Sequence, residues 1–268
     1  GKAKMVRLSV IIPTVNDPAL ANTVREVLEN SRTNPEIIVM ADAVDVDIPG
    51  VRVVKNETRL GLRGNVNKGI GLASGEWLVK LDEHCMLSYG WDEILLEFAQ
   101  KDWVTVPRRY QLDPVKWCIY EGDKEPIDYE RLEINNPDKI GGVTWRSRRK
   151  ERADVLLDET MVIQGSFYLL HREHWNRIAP LDETNYGSFT QEGIEIALKT
   201  WLGGGKVMVN KAAWYAHKHR TFGRVVSPKG TDIKRGNAYS KDYWLNNRWT
   251  ERKYDLAWLM QRFNLPCQ

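Results

Sequence analysis

Two short segments place metal-ligating residue types where the chain leaves an apolar strand. Lys80-Leu81-Asp82-Glu83-His84-Cys85 closes the run Glu76–Leu81, and Trp214-Tyr215-Ala216-His217 closes another. An Asp and a His two residues apart can reach one divalent cation if the backbone turns between them. A second His from another strand end completes a set of three: Asp82, His84 and His217. The far side of such an ion then faces a hard anionic ligand such as a diphosphate. Asp and His are also common in solvated turns, so the expectation rests on the pairing of two strand ends in a chain with 5 His.

The elements that must position these residues alternate in type. Leu8–Ile12 reads as a buried strand stopped by Pro13, Glu36–Met40 as a second ending at Asp42, and Val51–Val54 as a third. Between and after them Ala19–Asn30, Gly64–Ala73 and Trp91–Ala99 read as helices, with Glu76–Leu81 and Val104–Val106 as further strands. Repeated strand–helix–strand units predict an α/β fold with a largely parallel sheet, whose ligands bind at the carboxyl ends of the strands. Asp42 and Asp82 both fall at such ends. Residues 109–160 break the alternation and read as a binding excursion. Beyond it the pattern predicts order at Met161–Ile163 and Phe167–Leu170, then a helix over 192–202 with Thr190 as its cap and Gly203 as its stop. Two last strands follow at Lys206–Val209 and Ala213–Ala216. Residues 219–238 read as a mobile loop, which would exclude water from the site on closing, and Lys241–Phe263 as a helical tail. The expected division is a catalytic domain over 1–218 and an extension over 219–268 packed on it.

Composition limits the function classes. With 268 residues, 42% hydrophobic and 28% charged, the chain is an ordinary globular one of a size suited to a single core. No run of eighteen apolar residues exists to span a membrane, and Gly1–Met5 shows no signal-peptide pattern. Three cysteines, Cys85, Cys118 and Cys267, form no disulfide framework and suit a reducing, cytoplasmic setting. The net charge of +3 hides an asymmetry: Lys206–Gln268 holds 13 Lys and Arg against 4 Asp and Glu. Ten aromatic residues from Trp214 to Phe263 are interleaved with that charge. Such a surface either packs and is solvated or takes phosphates and stacked bases.

A family resemblance joins these pieces. Ser9-Val10-Ile11-Ile12-Pro13-Thr14-Val15-Asn16-Asp17 resembles the opening strand of family-2-type glycosyltransferases of the GT-A fold. The later pieces are similar to the catalytic domain of polypeptide N-acetylgalactosaminyltransferases. Leu81–Cys85 resembles the D-x-H-C metal motif of that family, with Trp91 in the helix after it, and Gly141–Trp145 its G-G-F-x-W loop. Gln164-Gly165-Ser166-Phe167 stands where it has Gly-Gly-Leu-Phe, and Phe189–Glu195 resembles W-G-G-E-N-x-E. Trp201–Gly205 resembles W-x-C-G-G and His217–Arg220 resembles H-x-x-R, in family order across residues 8–224.

The resemblance implies that Asp82, His84 and His217 hold Mn2+ (or Mg2+) and that Arg220 pairs with the diphosphate of a nucleotide-sugar donor, most readily a UDP-sugar. Thr14 and Asp42 would contact the nucleoside. Arg63 lies one position from a donor-binding Arg of the family. Glu192 and Gln191 would face donor sugar or acceptor, with Glu192 the candidate base if the reaction inverts configuration; the alternative is that Glu192 stabilises the first turn of its helix through the dipole. The departures at Phe189-Thr190-Gln191 and Gly193 leave the sugar open. For the acceptor, the basic aromatic tail and Arg146–Lys150 favour a polyanion, such as a hydroxymethylated pyrimidine in phage DNA, whereas the resemblance favours a protein; a glycan is a further choice. The expectation leans narrowly to DNA. A non-catalytic nucleotide-sugar or nucleic-acid binder is the competing class.

Overall fold

The computed structural model describes residues 7–187 and 189–267, and the Gly1–Met5 start lies outside them. In chain order the elements are β1 (Leu8–Thr14), α1 (Leu20–Asn30), β2 (Glu36–Asp42), β3 (Arg52–Asn56), α2 (Gly61–Leu72), β4 (Trp77–Leu81), β5 (Cys85–Leu87), α3 (Trp91–Phe98) and β6 (Trp103–Asp113). There follow β7 (Cys118–Ile119), β8 (Glu130–Glu133), β9 (Gly141–Thr144), α4 (Arg146–Glu151), β10 (Leu157–Glu159), β11 (Phe167–His171) and α5 (Arg172–Ile178). The last are α6 (Glu192–Leu202), β12 (Lys206–Lys218), α7 (Gly230–Leu245) and α8 (Leu256–Arg262).

The main sheet runs β10-β12-β6-β11-β4-β1-β2-β3. β4, β1, β2 and β3 are parallel, β12 is parallel to β6, and β11 lies antiparallel between β4 and β6. This is the α/β, mostly parallel architecture that the alternation predicted. β1 is apolar apart from Ser9 and Thr14 because both of its faces are buried: Val10 and Ile12 join the core cluster of α1 and α3, and Ile11 joins that of α2 and α6. Thr14, Asp42 and Asp82 therefore emerge together at the carboxyl edge.

Several boundaries differ from expectation, each for a local reason. β1 passes through Pro13 because pairing with β4 stops at Ile11, so that side of the strand needs no N–H from residue 13. β6 continues well past Val106 because β12 pairs with it as far as Leu112. The two last strands predicted are one strand, β12, broken in register between Asn210 and Trp214 by a bulge that mimics a gap. Met161–Ile163 is buried core but joins no strand. The 109–160 excursion is partly ordered, by the β8–β9 hairpin and α4. α6 is preceded by Gln191 in a left-handed conformation (φ 67), not capped by Thr190, whose hydroxyl donates instead to Asn237 at 3.0 Å. Helix α7 begins at Gly230, inside the stretch predicted as a mobile loop.

The tail packs into the core. Trp244, Trp249, Leu256, Leu259, Met260 and Phe263 are buried in the cluster that includes Trp201 of α6. Among the described residues no helix is long and apolar enough to cross a membrane.

Candidate metal centre

The carboxyl edge gathers the donor set through one short strand. After β4 the Asp82 N–H donates to the Ser166 carbonyl at 2.9 Å, and the chain turns back so that β5 pairs with β12, Cys85 opposite His217. Thr23 of α1 pins the turn, its hydroxyl donating to the Glu83 carbonyl at 2.8 Å and accepting the Cys85 N–H at 3.1 Å. The result brings Asp82, His84 and His217 together with their ligand atoms within 4.8 Å of one another. His217 Nε2 lies 3.1 Å from Asp82 Oδ2 and 3.0 Å from His84 Nε2, and His84 Nε2 lies 3.8 Å from Asp82 Oδ2.

These spacings fit an ion. Adjacent donors around a six-coordinate cation with bonds of about 2.1 Å stand about 3 Å apart. The protonation states fit as well. His84 Nδ1 meets Asp17 Oδ2 at 3.1 Å, so the Nδ1–H donates to that carboxylate and Nε2 keeps its lone pair toward the cluster. Burial, against the pull of Asp82, pushes the His217 imidazole down to about 4, so it is neutral near pH 7. Burial opposes ionisation of Asp82, but the Lys80 charge and the His217 hydrogen bond outweigh it and hold the carboxyl far below the usual range. Two imidazoles and one carboxylate oxygen suit a transition ion such as Mn2+ better than Mg2+ or Ca2+.

Two ammonium–carboxylate pairs bracket the triad. Lys218 Nζ lies 2.6 Å from Asp17 Oδ2 on one side. On the other, Lys80 Nζ lies 2.6 Å from Asp82 Oδ1 and 3.0 Å from Glu192 Oε1. Burial raises the Glu192 carboxyl while Lys80 opposes it, and the Tyr168 hydroxyl donates to the second Glu192 oxygen at 2.7 Å. Glu192 is 5% exposed with both oxygens engaged, so it would have to leave both partners to serve an acceptor as a base. Gly193 follows it where the resembled motif has Asn, because a Cβ there would stand 2.1 Å from the Ile163 carbonyl oxygen.

The other sequence candidates scatter. Thr14 is at the cluster edge, but its hydroxyl donates to Glu83 at 2.8 Å, and Glu83 also accepts the Val15 and Asp17 N–H groups, clamping the β1 loop. Asp42 accepts the Leu60 and Gly61 N–H groups at 2.7 and 3.1 Å, tying β2 to the start of α2. Arg63 does not reach the cleft. It is 1% exposed, forks onto Glu195 at 3.1 and 3.2 Å, and lies 4.3 Å from the Tyr186 ring. Gln191 bridges α6 to α7, accepting from Ser240 at 2.8 Å and donating to Asn237 at 3.2 Å and to the Ile140 carbonyl at 3.0 Å. Arg220 is exposed on the single turn Arg220–Phe222 directly after β12. Lys80, Asp17 and Lys218 were not singled out from the sequence. Lys80 could have been, as the one charged residue inside a buried apolar strand. Asp17 and Lys218 carry no such signal.

Comparison with known proteins gives this geometry a context. The model of the family described as Glycosyl transferase family 2 matches residues 9–179. Polypeptide N-acetylgalactosaminyltransferase 3 of Taeniopygia guttata is 26% identical over 214 residues, covering 73% of this chain and 32% of the relative. Polypeptide N-acetylgalactosaminyltransferase 5 of Caenorhabditis elegans is 24% identical over 272 residues, covering 90% of this chain and 42% of the relative. The chain thus spans about a third to two fifths of the length of these curated relatives. A crystal structure of GalNAc-T7 with UDP, GalNAc and Mn2+ superimposes with a TM-score of 0.73 at 18% identity, covering 97% of this chain and 55% of that one. The shared fold is the GT-A fold expected from the motifs.

Proposed function

The chain belongs to glycosyl transferase family 2, and on that premise we propose that it transfers a sugar from a UDP donor to a hydroxyl of a polypeptide, with Mn2+ held by Asp82, His84 and His217. The observation that carries this is the convergence of three ligand atoms from two strand ends at 3.0, 3.1 and 3.8 Å. When bound, the ion supplies charge neutralisation for the leaving diphosphate. The protein's own groups do the rest. Asp17 holds His84 in the tautomer with a free Nε2. Glu83 fixes the β1 loop under the nucleoside end of the cleft. Arg220, exposed after β12, supplies a planar fork for phosphate oxygens. Glu192 acts by orienting Lys80 and Tyr168.

The acceptor reading shifts away from the DNA that the sequence favoured. The named relatives are polypeptide transferases, and four of the ten tail aromatics, Tyr215, Trp244, Trp249 and Phe263, are buried and closed to stacking on bases. The free thiols of Cys85, Cys118 and Cys267 support a reducing compartment. A panel of nucleotide sugars read by thermal shift with and without Mn2+ tests the donor. UDP-N-acetylgalactosamine should stabilise the chain only with the metal. Incubation with a Ser/Thr peptide and with a hydroxymethylated duplex then tests the acceptor. Sugar on the duplex and none on the peptide would overturn the polypeptide reading.

A further inference from the structure

Lys80 is a cation that a three-ligand metal site does not need. It is 1% exposed in β4, between Val79 and Leu81, where an apolar side chain of the same length would satisfy the strand. Its three N–H donors are matched by three acceptors: Asp82 Oδ1 at 2.6 Å, the Gly165 carbonyl at 2.8 Å and Glu192 Oε1 at 3.0 Å. Gly165 can aim its carbonyl there because it sits at φ 100, a conformation side-chain-bearing residues rarely adopt. Tyr168, directly opposite Lys80 in the β4–β11 ladder, holds the other Glu192 oxygen. The ammonium is thus fixed on every side, and it fixes two carboxylates in turn.

Resting on the reading that Asp82, His84 and His217 hold the ion, we infer that Lys80 is a positioning residue for the transfer. It occupies one Asp82 oxygen, so that a single oxygen faces the two imidazoles, and it keeps Glu192 from becoming a fourth ligand. A buried charge pair of this kind is seldom worth more to stability than an apolar replacement, and this one shares its Asp82 carboxylate with the triad, so it bears directly on the site. Without the ammonium, two buried carboxylates lose their shared counter-charge, Asp82 can bind through both oxygens, and Glu192 is drawn toward the ion. The metal then binds more tightly but in the wrong shell. Lys80 lowers metal affinity in order to leave positions open for the donor diphosphate.

The test compares Mn2+ affinity, followed by the EPR signal of the free ion, in the unaltered chain, Glu192→Gln, Lys80→Met and the double variant Lys80→Met/Glu192→Gln. The double variant removes both buried charges together, so it stays foldable if Lys80→Met alone does not. Glu192→Gln removes a negative charge and keeps the ammonium, so it should bind Mn2+ more weakly than the unaltered chain. The double variant should bind it about tenfold more tightly than Glu192→Gln, the repulsion of the ammonium being gone. Where Lys80→Met folds, kcat should fall about a hundredfold with donor KM changed far less, as for lost positioning. A role in stability alone would leave affinity unchanged or weaken it. Equal affinity in Glu192→Gln and the double variant would overturn the inference while leaving the metal site standing. No Mn2+ binding by the unaltered chain would instead defeat the metal reading, and the inference with it.

Discussion

Glu192 and Glu195 stand one turn apart on α6, and each meets a buried cation from another element: Lys80 from β4 for the first, Arg63 from α2 for the second. The Glu195 cluster is closed. Its carboxylate takes Arg63, Lys199 at 2.7 Å and the Asp182 N–H at 3.1 Å, while Arg63 also donates to the Thr190 carbonyl and faces the Tyr186 ring. The Glu192 cluster is open at one end. It passes through Lys80 to Asp82, whose side chain is 25% exposed and whose second oxygen faces two histidines. Both networks bury charge, and both are well connected. What distinguishes a site from a scaffold here is a donor atom left facing outward beside others of its kind. Buried charge alone does not mark function.

Breaking each network should therefore fail in a different way. His217→Ala, at the open end, should lower kcat/KM on the order of a thousandfold, the share expected of a metal holding the leaving group. Its melting temperature should stay close to that of the unaltered chain, since His217 lies at a strand end; unfolding at room temperature would erase the contrast between the two networks. Arg63→Met, in the closed cluster, should do the reverse. Removing one partner of a buried pair costs about 3–5 kcal/mol, which urea unfolding would register, while kcat per folded molecule should change little. A large fall in kcat at constant stability would move Arg63 back to the donor site.

A pH series probes another buried contact of α6. His174 of α5 bonds Thr200 of α6 at 2.8 Å, and burial pushes its imidazole from 6.5 down to about 4. Between those values the unfolded chain takes up a proton that the folded chain refuses. Stability supplied by the neutral ring is thus present above pH 6.5 and is lost as pH falls toward 4, by about 1.4 kcal/mol per unit for that group. His174→Gln should flatten this slope by that amount without changing Mn2+ affinity, which chemical denaturation at several pH values would show.

The smallest effect belongs to the tail. Arg235 pairs with Asp232 at 3.7 Å and donates to the Thr184 carbonyl at 3.3 Å, and Lys241 donates to the Asn136 carbonyl; these contacts lie at the surface. Neutralising Lys234, Arg235 and Lys241 should change stability by under about 0.5 kcal/mol each and leave transfer to a peptide intact. A salt-sensitive gel shift of duplex DNA that these changes abolish would restore the nucleic-acid reading.

The sequence displayed the open network better than the closed one. Asp82, His84 and His217 were legible because they end apolar strands, and parallel-sheet logic places such ends together. Glu192 was legible only through its motif. Arg63 lies one position out of the motif's register, and the helix turns that side chain into the core, a direction the motif does not report. The tail misled because interleaved aromatics and cations look alike whether the rings face solvent or Trp201, and no local pattern reports the packing partner. Pro13 and the β12 bulge obscured strand ends for the same reason: what each strand needs from its neighbour is a tertiary fact.

Transfer through one ion held by the open cluster is tested most directly by stripping the chain with chelator, supplying UDP-N-acetylgalactosamine and a Ser/Thr peptide, and adding Mn2+ back stepwise. Transfer should be absent after stripping and return in full as one Mn2+ binds per chain, and Asp82→Ala should show no return at the same concentrations. Undiminished transfer in excess chelator, or full recovery in Asp82→Ala, would contradict it.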